Sequence, residues 1–338
     1  MVVWVDDVIG CATTKALADE FMENFKYPKS QGGHFDYCLR IKVDHYKGMV
    51  GLSQTTSIED LAIKYRIQDS NPISTPMENR TSLTKEQMPK AGSKEQIKMA
   101  ATPYRQLLGS LLHICQISRG DIAGALQILS RFGKNPAIVH WKALKRVLIY
   151  LYHTRHRRLV FGKHKYDLHD SKACEGLQPI EVYVDADHAG CKDTSRSTSG
   201  TVIKLFGDTI LTKSKRQGKV SNSTAMAELH ALAAAARKAD HYRQILFDLS
   251  DFYQKTIPMM TDSQVVVKML ERGNLSSATK HLRIAFHEVK EKIDSGEVTV
   301  EHIPGDTNPS DVCTKPLPGD THKKHTDSIL NDGSWKNG

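Results

Sequence analysis

Cysteine pairs, zinc-binding clusters and long apolar runs are missing from this sequence. The six cysteines are scattered, with no C-x-x-C pair and no grouping with histidine at zinc spacing, so neither disulfides nor structural zinc are predicted. No stretch approaches the roughly 18 consecutive apolar residues of a membrane-spanning helix. The N-terminal MVVWVDDVIG is too acidic for a signal peptide. These absences favour an intracellular protein with free thiols.

Acidic residues are in deficit. The 338 residues include 47 Lys and Arg against 38 Asp and Glu, a formal net charge of +9. Six of the cations fall within residues 140–158 and four within 212–219. A single basic run is most often a solvated helix face or strand end. Two runs that flank an acidic site favour a track for a phosphate backbone.

The hydrophobic pattern changes along the chain. Residues 104–152 carry apolar side chains at helical spacing, whereas 163–178 are polar and non-periodic and predict a linker. An α/β pattern follows, with strands near 180–186, 199–206, 209–216, 256–262 and 298–301, and helices between them. The final residues, 319–338, predict a loosely held tail.

Four acidic residues stand at the boundaries of these predicted elements: Asp185, Glu228, Asp262 and Asp311. Each taken singly is more often a surface or capping residue, so the hypothesis depends on all four occurring in order. Four carboxylates brought together would repel strongly, and such a cluster implies bound cations. Oxygen ligands select Mg²⁺ or Mn²⁺ over zinc, and two such ions suit phosphodiester hydrolysis.

A second acidic feature lies near the N-terminus. Asp6 and Asp7 separate two short apolar runs, which predicts a hairpin with two adjacent carboxylates at its tip. A divalent cation would relieve their repulsion. For V-D-D alone, however, an ordinary polar turn is the commoner explanation.

The segments around these acids resemble the Pol polyproteins of copia-type (Pseudoviridae) retrotransposons. The matching segments occur in the family's order: WVDD, GLSQ, STPM, YRQLLGSLLHI, LSRFGKNPAIVHWKALKRVLIYL, VYVDADHAG, SRSTSG, SKRQGKVSNSTAMAELHAL, TDSQVV, TKHLR and NPSDVCTKPL. The resemblance covers about residues 1–318 and is specific as a colinear set, although V-D-D or T-D-S alone would be weak.

The resemblance implies both a fold and a domain order. The fold is a ribonuclease H-like mixed five-stranded sheet with flanking helices, preceded by a truncated reverse transcriptase palm and thumb and a helical connection region. The implied units are 1–78 (palm and thumb remnant), 79–162 (connection), 163–178 (linker), 179–318 (ribonuclease H domain) and 319–338 (tail). For such a chain we expect an intracellular location, in cytoplasmic virus-like particles and in the nucleus.

By this resemblance the chain would be a Mg²⁺-dependent ribonuclease that cuts the RNA strand of RNA–DNA hybrids. Two Mg²⁺ ions, replaceable by Mn²⁺, would be held by the catalytic acids Asp185, Glu228, Asp262 and Asp311. Asp6 and Asp7 look like the paired metal-binding aspartates of the polymerase palm. His302 stands where ribonucleases H often carry a histidine that assists product release, although a strand-end histidine on a half-exposed face is the commoner explanation. The hybrid's backbone would follow the basic segments 140–158 and 212–219.

The chain also departs from the family pattern. Trp4 stands where the family has the tyrosine of YVDD, His188 where it has a tryptophan after D-A-D, and Thr212 where it has the tryptophan of W-x-S-K. Arg40 replaces the glycine of the family's F-L-G, and Gly120 replaces the proline of T-R-P-D-I. These changes predict weakened packing around the first strand and the hairpin.

The polymerase's first metal-binding aspartate would precede residue 1, so we expect no DNA synthesis by this chain alone; primer extension by the purified chain would contradict this. Two alternatives stay open: a non-catalytic remnant that binds nucleic acid or is inert, and an integrase- or resolvase-like nuclease.

Overall fold

A computed structural model describes side chains at residues 14–26, 36–79, 81–162, 178–250, 252–273, 283–332 and 335, and the backbone alone at 2–4 and 7–9. Among the helices in these ranges, none combines the length and the hydrophobicity needed to cross a lipid bilayer.

The first part of the chain forms small antiparallel sheets and two helices. Its elements are β1 Val2–Trp4, β2 Asp7–Ile9, α1 Lys15–Asn24, β3 Tyr37–Cys38, β4 Ile41–Tyr46, β5 Met49–Ser53 and α2 Thr55–Lys64. Strands β1 and β2 pair with each other, and β3, β4 and β5 form a second antiparallel sheet.

The middle of the chain is helical, as the apolar spacing predicts. It contains α3 Lys94–Ala100, α4 Tyr104–Ile117, α5 Ala123–Ser130 and α6 Ile138–His153, and ends in β6 Leu159–Phe161. The apolar residues that repeat at helical spacing are fully buried, among them Leu107, Leu111, Leu126, Leu144 and Leu148. Strand β6 then pairs with β5 at the edge of the small antiparallel sheet.

The remaining elements build the main sheet. They are β7 Ile180–Asp187, β8 Thr198–Leu205, β9 Asp208–Arg216, α7 Thr224–Ser250, β10 Ile257–Thr261, α8 Gln264–Arg272, α9 Arg283–Asp294, β11 Val298–His302 and α10 Gly319–Leu330. The strand order is β11-β10-β7-β8-β9. Strands β7, β8 and β9 are antiparallel, while β10 and β11 run parallel to β7. This is a ribonuclease H-like sheet, so the predicted five-stranded mixed α/β architecture is confirmed.

Both faces of this sheet are covered. On one face, α7 packs an alanine-rich stripe against Val182, Val184 and Ile203. Because side chains alternate along a strand, Tyr183 and Val202 point to the other face, where they join the core of α4, α5 and α6. The helical region and the sheet therefore share one continuous hydrophobic core.

The C-terminal segment differs from the loose tail that the sequence predicts. Residues Gly319–Leu330 form α10, and Ile329 and Leu330 belong to the core shared with α4–α6. Its buried face also includes His322, His325 and Thr326. The prediction was wrong because three of the five buried residues of this helix are polar, so hydrophobic periodicity does not detect it.

Two departures from the family pattern lie against each other. A Cβ on Gly120 would stand 2.5 Å from Thr212 Oγ1. The two replaced residues are therefore in direct contact with each other. His188 donates from Nε2 to the Ser221 carbonyl oxygen at 3.0 Å. Arg40 has φ 64° in the turn between β3 and β4, a left-handed conformation that costs a non-glycine residue roughly 1–2 kcal/mol.

Candidate active site

Strand pairing brings Asp185 and Asp262 to the same edge of the main sheet. Strands β7 and β10 are parallel neighbours, and Val184 stands opposite Thr261. The residue after each partner is therefore at the same carboxyl-terminal end of the sheet. Asp185 is buried and Asp262 is half-buried.

Glu228 completes a cluster of three carboxylates. It lies in the second turn of α7 and is buried. One carboxylate oxygen from each of Asp185, Glu228 and Asp262 lies within 4.8 Å of the other two. The structure thus brings together three of the four acids that the sequence singled out, at a separation that would let them share a cation.

The fourth acid, Asp311, lies in a short 3₁₀ helix, Pro309–Cys313. Asn308 ties this turn to the sheet. Its Oδ1 accepts from the backbone nitrogen of Ser310 at 3.1 Å, and its Nδ2 donates to the Val184 carbonyl oxygen at 2.9 Å. Asp311 is buried next to the three-carboxylate cluster.

Two glycines let the 3₁₀ helix fit between the sheet and α5. A Cβ on Gly200 of β8 would stand 2.6 Å from the Ser310 carbonyl oxygen. A Cβ on Gly124 of α5 would stand 2.5 Å from the Val312 carbonyl oxygen. A side chain at either glycine would displace the backbone that carries Asp311.

Burial and mutual repulsion raise the pKa values of the clustered acids. Burial together with the charges of Asp185 and Asp262 raises the pKa of Glu228 to about 9. Burial and Asp185 raise the pKa of Asp311 to about 7, and the same two causes raise the pKa of Asp262. Such a cluster is stable in its charged form when cations balance it.

The residues present fit divalent cations. Within the described residues, Glu228 Oε2 and Asp311 Oδ1 are buried without a hydrogen-bond partner, a costly state for a carboxylate oxygen. The available donors are carboxylate oxygens, which suit Mg²⁺ or Mn²⁺. Asp185, Glu228 and Asp262 would hold the ions, with Asp311 beside them.

Lys315 is a member of this site that sequence reasoning missed. Its Nζ is 3.0 Å from Asp311 Oδ2. Burial would lower the pKa of Lys315, but the charges of Asp185 and Asp311 raise it overall. The i,i+4 spacing from Asp311 was the available signal, since residues four apart meet on one side of a helical turn. Lys315 therefore acts as an internal counter-ion of the acids.

Replacing Lys315 with methionine is expected to lower the melting temperature of the metal-free protein by about 2–4 °C, which corresponds to about 1 kcal/mol after allowance for solvent screening. The reason is that the acids lose a nearby positive charge. Thermal melts in EDTA and in Mg²⁺ measure the effect, and Mg²⁺ should restore most of the loss.

The matched control is Lys323→Met, which removes an exposed lysine that pairs with Asp327 at 2.8 Å on α10. Exposed pairs contribute little, so its melting temperature should stay within about 1 °C of the wild type. An unchanged metal-free melting temperature for Lys315→Met would rule out the counter-ion role.

Two more residues border the cluster. Asp187 follows Asp185 by two positions in β7, which places both on one side of the strand; burial and Asp185 raise the pKa of Asp187. The D-A-D sequence was the signal for it. His302 ends β11 opposite Thr261 and is exposed, beside Asp262, whose pKa is raised by burial and by Asp185. A role for His302 in product release stays a prediction.

The second predicted acidic pair is not described at the level of side chains. Asp6 lies outside the described residues. Asp7 begins β2, with its backbone opposite Trp4 of β1. The metal-binding role of Asp6 and Asp7 therefore stays a prediction.

The two basic segments differ in how their charges are used. In 140–158, four of the six cations form ion pairs with acids distant in the sequence: Arg146 with Glu78, Arg155 with Glu59, Arg157 with Asp327 and Asp332, and Arg158 with Asp44. In 212–219, none of the four cations has a carboxylate partner among the described residues. The second segment is therefore the better candidate for binding an external anion.

Sequence comparison finds relatives along nearly the whole chain. The chain is 29% identical over 323 residues to the Retrovirus-related Pol polyprotein from transposon TNT 1-94 of Nicotiana tabacum, and 28% identical over 320 residues to that from transposon RE1 of Arabidopsis thaliana. Both alignments cover 94% of this chain, and 23% and 20% of the relatives. It is also 36% identical over 141 residues, 42% of the chain, to 92% of the Secreted RxLR effector protein 161 of Plasmopara viticola. No family model matches the chain.

Solved structures with some similarity include RNase H1 from Halobacterium salinarum NRC-1, at 20% identity and a TM-score of 0.31, over 40% of this chain and 93% of that protein. LC11-RNase H1 in complex with an RNA/DNA hybrid has 18% identity and a TM-score of 0.31, with the same two coverages.

Strand order, strand direction and the acidic cluster define a protein of the ribonuclease H-like class. Over 94% of its length the chain is similar to retrovirus-related Pol polyproteins from transposons, at 27–29% identity, in agreement with the resemblance that the colinear segments indicated. It spans about a fifth of the length of these polyproteins.

Proposed function

We propose that this chain hydrolyses the RNA strand of RNA–DNA hybrids in a Mg²⁺-dependent reaction. The observation that carries the proposal is the convergence of Asp185, Glu228 and Asp262, with carboxylate oxygens within 4.8 Å of one another. Similarity to Pol polyproteins supports it, because copying RNA into DNA leaves an RNA–DNA hybrid. Such a hybrid is recognised through its backbone and 2′-hydroxyls rather than its bases.

Within this proposal the chain's own residues have separate tasks. The carboxylates of Asp185, Glu228 and Asp262, with Asp311 beside them, would hold two divalent cations. The Thr314 hydroxyl donates to Asp185 and fixes the orientation of that carboxylate, while Lys315 balances Asp311. When bound, the cations supply charge stabilisation and a nucleophilic water for phosphodiester hydrolysis.

The test is a cleavage assay with two substrates. One is an RNA–DNA hybrid with a labelled RNA strand, and the other is the matching DNA duplex with the corresponding DNA strand labelled. We expect cleavage of the hybrid in Mg²⁺, none of the duplex, and none in EDTA. Asp262→Asn should lower the rate by about 10³-fold or more. Asp60→Asn, on an exposed residue of α2, makes the same chemical change away from the site and should leave the rate unchanged.

The assay also separates the alternatives. A folded chain that binds the hybrid without cutting it would contradict the proposal and favour the non-catalytic remnant. Cleavage of duplex DNA would instead favour an integrase- or resolvase-like nuclease.

A further inference from the structure

A groove of about 690 Å³ lies between β9, α7 and the start of α9, apart from the acids of the candidate site. Among the described residues, six cationic side chains line it: Lys213, Lys215, Arg216, Lys219, Arg237 and Lys238. Two histidines, His230 and His241, are also part of this lining. Of the lining residues that the structure describes, one is a carboxylate, Glu288, and it is paired with Arg237. The groove is therefore strongly positive and has little internal compensation.

Two lysines from opposite walls meet inside this groove. Burial, together with the neighbouring ammonium groups of Lys238 and Lys215, lowers the pKa of Lys213. Both Lys213 and Lys238 are half-buried. Like charges held this closely repel each other. An anion bound between the two lysines would attract both and offset their repulsion.

The direction of the groove connects it with the candidate site. It follows α7 from His230 to His241, eleven residues, or about 16 Å along a helix. His230 lies two residues beyond Glu228, which is about 3 Å farther along the axis of α7 on another side of the helix. This end of the groove is therefore close to the acidic cluster along the helix axis. A strand of duplex carries one phosphate per 3.4 Å or so of helix axis, so this length suits about five phosphates.

The chemistry of the lining indicates which part of a nucleic acid it suits. Within the described part of the chain, the lining includes no phenylalanine, tyrosine or tryptophan, the side chains on which single-stranded bases stack. Cations and small hydroxyl groups such as Ser199 and Thr201 are instead suited to phosphate and sugar.

We propose that this groove binds the sugar–phosphate backbone of the hybrid as it extends away from the acidic cluster. This inference rests on the proposed function, because it takes the hybrid as the ligand. It selects segment 212–219, together with α7, as the backbone track, and it excludes segment 140–158.

The experiment measures binding of the full chain to a fluorescent RNA–DNA hybrid in EDTA, by anisotropy, between about 50 and 300 mM salt. Each lost phosphate contact reduces the slope of log K against log salt by about 0.9. Lys213→Gln combined with Lys238→Gln should therefore reduce the slope by about 2 and weaken binding at low salt at least fivefold. A second pair, Lys215→Gln with Lys219→Gln, removes two exposed charges and should act in the same direction.

The matched control is Lys142→Gln with Lys145→Gln, which removes two charges from segment 140–158 and should leave the slope unchanged. Unchanged slopes for both groove variants, or an equal change in the control, would overturn the proposal. So would displacement of the hybrid from the wild type by a poly-glutamate peptide as readily as by an unlabelled hybrid of equal charge.

Failure of this inference is distinguishable from failure of the proposed function. If the groove variants bind like the wild type while the wild type cuts the hybrid in Mg²⁺, the groove assignment is wrong and the function stands. If the slopes change as expected while the wild type does not cut, the groove stands and the function is wrong.

Discussion

Replacing Glu228 with glutamine is expected to abolish Mg²⁺-dependent hybrid cleavage and, at the same time, to stabilise the metal-free protein. The pKa of Glu228 is raised to about 9 by burial and by Asp185 and Asp262. Folding at pH 8 without metal therefore requires this carboxyl group to take up a proton or to stay charged beside two others. Glutamine has nearly the same shape and avoids both costs. We expect the metal-free melting temperature to rise by about 4–8 °C, or about 2 kcal/mol.

The pH dependence of the wild type has a definite sign. The folded pKa of Glu228 is about 9 against an ordinary value of 4.5, and that of Asp311 is about 7 against 3.8. Groups with a raised folded pKa contribute full stability below the unfolded pKa and lose it as the pH rises through the folded pKa. The metal-free melting temperature should therefore fall between about pH 5 and pH 9. Mg²⁺ and Glu228→Gln should each flatten this slope.

Melting curves in EDTA across this pH range, together with the hybrid assay, test the prediction. Glu271→Gln provides the control, since Glu271 is an exposed residue of α8; it should change neither the slope nor the rate. A Glu228→Gln protein that cuts the hybrid at the wild-type rate, or that melts below the wild type in EDTA, would contradict a shared cation site.

The second large effect is expected at Asp121, whose change to alanine should cost about 3–5 kcal/mol of folding free energy and lower the melting temperature by about 10 °C. Arg119 donates from Nε and Nη2 to the two Asp121 oxygens at 2.9 and 2.7 Å, and both side chains are fully buried. The Tyr150 hydroxyl donates to the same carboxylate at 2.7 Å. Burial would raise the pKa of Asp121, but these partners bring it to about 2. Alanine would leave a buried guanidinium without its counter-charge.

The same change is expected to reduce hybrid cleavage, because this network lies in the core that the helical region shares with the active-site elements. His322 of α10 donates to the Asp121 carbonyl oxygen at 3.2 Å. Val312, next to Asp311, belongs to that core as well. Loosening it would therefore displace an acid of the site that is far from Asp121 in the sequence.

Thermal melts and the hybrid assay measure this prediction. The informative comparison is Arg119→Met combined with Asp121→Leu, which replaces the ion pair with apolar side chains of similar volume and should recover most of the lost stability. Asp60→Ala is the surface control. If the melting temperature of Asp121→Ala lies within about 2 °C of that of the wild type, the buried ion pair does not stabilise the core that the helical region shares with the main sheet.

The sequence was informative where a residue's role depends on its position within one element. The ends of two predicted strands marked Asp185 and Asp262, and parallel pairing was enough to bring them together. Glu228 followed from its place near the start of a predicted helix. Lys315 was missed, although its i,i+4 spacing from Asp311 was visible. The chain has 47 lysines and arginines, and one of them can be assigned to the site only after the positions of the acids around it are known.

The amino-acid pattern alone was enough to predict the α/β order, the acidic residues at the element boundaries and the similarity to Pol polyproteins. These are local or colinear properties, and they can be recognised without knowledge of tertiary contacts. That Gly319–Leu330 is a buried helix became evident from the structure, since its buried face includes two histidines and a threonine. The structure also showed that cations of segment 140–158 form ion pairs with distant acids such as Glu59 and Asp44. The cations of segment 212–219 form no ion pair with a carboxylate among the described residues. Those outcomes depend on which residues meet in space, and pairings between distant parts of a chain leave no periodic trace along it.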